Sequence, residues 1–118
     1  MRYQRNVLEP INIGIQKFDS IGMMNLLHCL PGVIRSKSVV FENLKALLND
    51  GGVIFGSTIL YRGVERNLLA TYTLKMSNRM GFMTNLHDDP EELKQVLRQH
   101  FSQNMVKVIG CVALFWGR

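Results

Sequence analysis

The chain has 118 residues, of which 47% are hydrophobic and 19% charged, and its 14 basic and 9 acidic side chains leave a formal net charge of +5 at pH 7. That length supports one core, so a single domain over 1–118 is expected, and no linker divides it. Its longest apolar stretches, such as Gly52 to Leu60 and Val106 to Trp116, fall far short of the ~20 residues a membrane helix needs, which excludes a spanning helix.

The N-terminus opens on Arg2, Tyr3, Gln4 and Arg5 where a secretory signal would run basic and then apolar, so the expected location is cytoplasmic. The two cysteines, Cys29 and Cys111, lie far apart inside apolar runs and suit small hydrophobes better than a disulfide framework. The basic residues are spread along the whole length with no run interleaved with aromatics, so a solvated basic surface is expected and nucleic acid is not an expected partner.

In chain order, a turn-like stretch at Pro10 to Gln16 leads into Phe18 to Met23, a short apolar run that suits a buried strand. Pro31 and Gly32 break the chain, and a helix is expected from Ser36 or Ser38, with Val40, Phe41, Leu44, Leu47 and Leu48 on its apolar face and Asn49, Asp50 and Gly51 ending it. Val53 to Leu60 is rich in β-branched residues, giving strand, helix, strand, the unit of a parallel sheet. A second helix is expected from about Val64 to Met80, its apolar face marked by Leu68, Leu69, Tyr72, Met76 and Met80, with room for a lid over a pocket. Asp89, Pro90 and Glu92 give the clearest helix start, followed by a stripe of Leu93, Val96, Leu97 and Phe101. Met105 to Trp116, interrupted by Gly110, reads as two closely joined antiparallel strands.

Three segments, in this order, resemble the second half of a class I S-adenosylmethionine-dependent methyltransferase. They are FDSIGMMNLLHCLPG at Phe18 to Gly32, LKALLNDGGVIFGSTIL at Leu44 to Leu60, and GCVALFWGR at Gly110 to Arg118. The Leu-His-Cys-Leu-Pro-Gly run at Leu27 to Gly32 is similar to a signature of small-molecule methyltransferases of fungi and bacteria. The resemblance implies an α/β fold: part of a Rossmann-like sheet ordered 3-2-1-4-5-7-6, matched here in strands three to seven with an antiparallel C-terminal hairpin, and flanked by helices. Val7 and Leu8 would end the third strand. The first two strands have no counterpart, and none of the ten glycines forms the G-x-G-x-x-G loop that approaches a dinucleotide-type cofactor.

The same resemblance implies methyl transfer from S-adenosyl-L-methionine to a small molecule, with Asn6 and Val7 beside the adenine ring and Met23, Met24 and Asn25 along the methionine portion. Without the glycine loop, cofactor binding is expected to be weak or to depend on assembly; the alternative is a non-catalytic chain acting as an assembly subunit. His28 is the candidate catalytic residue, able to accept a proton from a substrate, although its neighbours Leu27, Cys29 and Leu30 also suit a packed histidine. No metal is assigned, since His28 with Cys29 falls short of the three or four ligands of a zinc site. Core packing is the expected role of Met76 and Met80, while Met80 to Asn85 also suits part of a substrate cover. An exposed fourth-strand edge implies a homo-oligomer joined near Phe18 to Met23, or a complementing chain.

Overall fold

The computed structural model describes residues 2–14 and 16–118. Its elements are β1 (Phe18–Met24), a 3-10 turn (Leu27–Cys29), α1 (Ile34–Lys37), α2 (Val39–Lys45), β2 (Leu48–Ile59), α3 (Leu68–Arg79), α4 (Pro90–His100), β3 (Asn104–Ile109) and β4 (Val112–Gly117). The strands form one sheet in the order β1-β2-β4-β3, with β1 and β2 parallel and the other two pairings antiparallel. This is the order implied for strands four to seven, and Gly110, at φ 62°, sits in the turn between β3 and β4. Among the described residues no helix is long and apolar enough to cross a membrane.

One face of the sheet carries the core. Met23, Ile54, Ala113 and Phe115 lie under Phe41 of α2 and under Leu93, Val96 and Leu97 of α4, all of them buried. Phe41 meets Phe101 and Phe115 edge-on, at interplanar angles of 87° and 81°, an arrangement aromatic pairs favour. The start of α4 forms as expected, with Asp89 Oδ1 accepting from the Glu92 amide at 2.8 Å and Pro90 in the first turn.

The opposite face is largely uncovered. Met24, Phe55, Met105 and Leu114 share it through the strand register, and they are 60%, 44%, 48% and 39% exposed. β1 is also an open edge, so Phe18 to Met23 is not the fully buried strand its composition suggests: only Met23 is buried and Phe18 is exposed.

Four further expectations are corrected. Val7 and Leu8 form a turn, not the end of a third strand, since in the implied order that strand pairs beyond strands one and two, which have no counterpart here. The helix expected up to Leu48 is shorter and divided into α1 and α2, and Leu48 already belongs to β2. There the register slips between the Phe18–Leu48 and Ser20–Val53 pairs, so Asn49 to Gly51 form an irregular strand start and not a helix stop. α3 begins at Leu68, where the Asn67 side chain accepts from the Ala70 amide at 2.8 Å. Its expected apolar face is turned outward: Leu68, Leu69, Tyr72 and Met80 are exposed and only Leu74 is buried, so core packing is not the role of Met80. The stretch at 10–17 has no regular element, and Ile15 within it lies outside the described residues.

Candidate functional site at the carboxyl ends of the parallel strands

In open α/β sheets, ligands bind beyond the carboxyl ends of the parallel strands, which here are β1 and β2. β1 ends in a sharp change of direction at Asn25, whose φ of 56° makes it the single non-glycine residue in the left-handed region among the described residues. Asparagine accepts this conformation more readily than most side chains. Two bonds hold it in place: the Asn25 amide donates to Ser57 O at 2.8 Å, and Ser57 Oγ donates to Asn25 Oδ1 at 3.1 Å. Among the described residues the Asn25 Nδ2 group has no acceptor, so it can donate to a ligand.

His28, on the 3-10 turn, is buried at 4% exposure. The Ile59 amide donates to its Nδ1 at 3.0 Å, so Nδ1 carries no proton and the neutral ring holds its hydrogen on Nε2. Thr58 Oγ1 lies 3.4 Å from the same nitrogen. Burial, reinforced by the positive charge of Lys37, pushes the imidazole below its ordinary pKa. Because the folded ring resists protonation while the unfolded ring protonates near pH 6.5, stability is lost as pH falls from about 6.5 toward the lower folded value. The expected slope is at most about 1.4 kcal/mol per pH unit. His28→Asn keeps an acceptor for the Ile59 amide without a titrating ring, so thermal melts between pH 7.5 and pH 5.5 should be flatter for this variant than for the parent. Equal slopes would show that His28 does not titrate in this way.

No protein-family model matches the chain. It is 41% identical over 114 residues to methyltransferase aurB of Calcarisporium arbuscula, a match covering 97% of this chain and 50% of aurB. The chain is a relative of such methyltransferases. It spans about half the length of the curated relatives it matches. The fold agrees: an O-methyltransferase family protein from Burkholderia thailandensis superposes with a TM-score of 0.68 at 21% identity, over 98% of this chain and 34% of that one. Human N-acetylserotonin methyltransferase, solved in complex with SAM, superposes with a TM-score of 0.65 at 17% identity, over 98% of this chain and 32% of its own.

The residues singled out in the sequence fall into two groups. Met23, Met24, Asn25 and His28 cluster where β1 ends, against Ser57, Thr58 and Ile59 of β2. Asn6 and Val7 form a second group: Asn6 Oδ1 accepts from the Leu8 amide at 3.0 Å, and Val7 O accepts from the buried Asn43 Nδ2 of α2 at 2.9 Å. No hydrogen bond among the described residues joins the two groups.

The sequence reading missed the buried ion pair behind the cluster. Lys37 Nζ lies 2.7 Å from Asp88 Oδ2, with both side chains fully buried, and also donates to Thr84 O. The Thr84 amide donates to His28 O at 2.7 Å, and Asp88 O accepts from the amides of Tyr61 and Arg62 just after β2. The pair therefore ties α1, the segment before α4 and the 3-10 turn into one junction. Burial raises the Asp88 carboxyl above its ordinary pKa, with the Lys37 ammonium opposing the shift. A signal was legible: Lys37 stands between Ile34 and Val40 on the buried side of the helical register, a place where lysine is found only with a partner.

Proposed function

We propose that this chain supplies the wall of an S-adenosyl-L-methionine site built from the carboxyl ends of β1 and β2, in a protein that transfers the methyl group to a small molecule. The observation that carries this reading is the left-handed Asn25 pinned by Ser57 at the end of a parallel strand pair, in a chain related over nearly its whole length to methyltransferases. Met23, Met24 and Asn25 would line the methionine portion, with Asn25 Nδ2 as the donor. Asn6 and Val7 would border the adenine ring. Bound there, the sulfonium supplies an electrophilic methyl group, and the chain's part is to hold it in line with a nucleophile, which needs no fixed catalytic triad. In that arrangement His28 acts as a positioning residue, since its Nδ1 is engaged by the Ile59 amide and Nε2 already bears a proton. The free thiols Cys29 and Cys111 suit a reducing, cytoplasmic setting.

Calorimetric titration with S-adenosylhomocysteine tests the reading without knowledge of the acceptor. Saturable but weak binding is expected, because no glycine loop in the chain approaches the cofactor. A folded sample giving no heat at millimolar ligand would overturn the cofactor reading.

A second reading, that the chain works as an assembly subunit, is favoured by the largely uncovered sheet face and the open β1 edge. Contiguous exposed apolar surface and an unpaired strand edge mark association surfaces. Light scattering at micromolar concentration should therefore find a homodimer or larger species, and Phe55→Ser with Leu114→Thr should shift it toward monomer. A clean monomer for the parent chain would count against self-association.

A further inference from the structure

We propose that the cleft between the last turns of α3 and the segment 82–87 binds a small organic acid with an apolar body. The site stands apart from the cofactor reading and does not depend on it. The cleft has a volume of about 390 Å³, within the range of small-molecule sites, and its lining includes Lys75, Asn78, Arg79, Met83, Leu86 and His87, with no acidic side chain.

Its charge is unbalanced. Lys75 and Arg79 are four residues apart on one helix face, where like charges repel, and among the described residues neither side chain forms an ion pair or a hydrogen bond. The field of the helix carbonyls accounts for a cation in the last turn, such as Arg79, but it fades before Lys75 one turn earlier. Arg62 Nη2 lies 3.2 Å from His87 Nδ1, which brings a third cation beside the cleft. Thus three cations and one imidazole surround or flank the cleft. An anion seated between Lys75 and Arg79 relieves their repulsion, and the arginine fork suits a carboxylate in two-point contact.

The walls are prearranged. Asn78 Nδ2 donates to Asn85 Oδ1 at 2.7 Å, the Asn85 amide donates back to Asn78 Oδ1 at 3.0 Å, and Asn85 Nδ2 donates to Ile59 O at 2.9 Å. This amide pair locks the end of α3 to the cleft's other wall and to the end of β2. Thr84, at the rim, is held through its backbone on both sides, by His28 O and by Lys37. Met83 and Leu86 offer the apolar surface, Met83 half-buried and Leu86 38% exposed. A ligand here must carry a negative head and a flat or flexible apolar body, and an uncharged isostere lacks what the lysine and arginine select.

Amide-resolved NMR titration of the full chain with 2-naphthoate tests this, with 2-naphthamide as the neutral probe and S-adenosylhomocysteine run in parallel. Saturable shifts at Lys75, Arg79, Met83 and Leu86 are expected, with a dissociation constant below about 1 mM. The amide, and naphthoate on the Lys75→Gln, Arg79→Gln variant, should bind at least about tenfold more weakly, while Lys75→Arg with Arg79→Lys stays within about threefold. Both positions are exposed, so the variants should fold, which circular dichroism checks. The proposal is overturned if naphthoate fails to saturate, if the amide binds as tightly, if the glutamine variant is unaffected, or if the shifts map elsewhere. Failure with naphthoate alongside binding of S-adenosylhomocysteine sinks this site alone; the reverse result sinks only the cofactor reading.

Discussion

Lys37→Met is expected to destabilise the fold by about 3–5 kcal/mol at pH 7, the usual loss when one partner of a buried ion pair is removed. In this variant the Asp88 carboxylate stays buried with Oδ2 stripped of its 2.7 Å partner, and Oδ1 has no hydrogen bond even in the parent. In a chain of this size such a loss lowers Tm by roughly 10–25 °C. The deficit should shrink on acidification. Burial already raises the Asp88 carboxyl above its ordinary value, and removing Lys37 raises it further, so the folded state takes up a proton before the unfolded state does. A group whose folded pKa is raised contributes stability below its unfolded pKa and loses it as pH rises, so melts at pH 4.5 should show a smaller gap between variant and parent than melts at pH 7. Lys37→Met with Asp88→Leu should recover most of the loss, since an apolar pair of similar volume often replaces a buried ion pair at little cost. A single variant that melts with the parent at pH 7 would show that the pair adds nothing.

Gly56→Ala is expected to cost about 3 kcal/mol, at the upper end of the range for overpacking. A Cβ built on Gly56 would stand 2.3 Å from Met23 O and 2.9 Å from the Phe115 ring. Met23 is the register partner of Gly56 in the parallel pair, and a backbone carbonyl there cannot rotate aside as a side chain can. The strands must separate where β1 ends, next to Asn25 and Ser57, so the variant should melt about 10 °C lower and shift the Asn25 amide resonance. Gly22→Ala is the control. Its Cβ meets the Phe55 ring at 3.1 Å, but that ring is 44% exposed and can swing into solvent, so a loss within about 1 kcal/mol is expected. Similar losses at both positions would mean that close strand approach is not what requires glycine at Gly56.

The elements easiest to read in the sequence were those stabilised locally. Asp89, Pro90 and Glu92 start α4 because a carboxylate cap, a missing amide and an acid in the first turn all act within four residues. Gly110 between two β-branched runs made the hairpin legible for the same reason. α3 shows the limit of this logic. Its period is helical and the helix forms, yet Leu68, Leu69, Tyr72 and Met80 face outward, because periodicity locates an apolar face without saying whether anything lies against it. Val7 and Leu8 fail differently: a strand needs a neighbour, and the strand they would pair with in the implied order has no counterpart in the observed sheet. Of the candidate site, the run from Met23 to His28 marked in the sequence the residues that gather where β1 ends. The engagement of His28 Nδ1 by the Ile59 amide was not, because the two residues are thirty-one positions apart and meet only once β1 and β2 pair.

By itself the sequence determined the methyltransferase kinship, the alternation of strands and helices, the cap of α4 and the closing hairpin, all of which rest on local chemistry or on ordered motifs. The tertiary structure alone decided that one sheet face stays largely uncovered and that Lys37 meets Asp88 across fifty-one residues. It also decided that Lys75 and Arg79 share a cleft with Met83 and Leu86. These depend on which surfaces the folded chain brings together, and pairings between distant segments leave no period or spacing in the residues that make them.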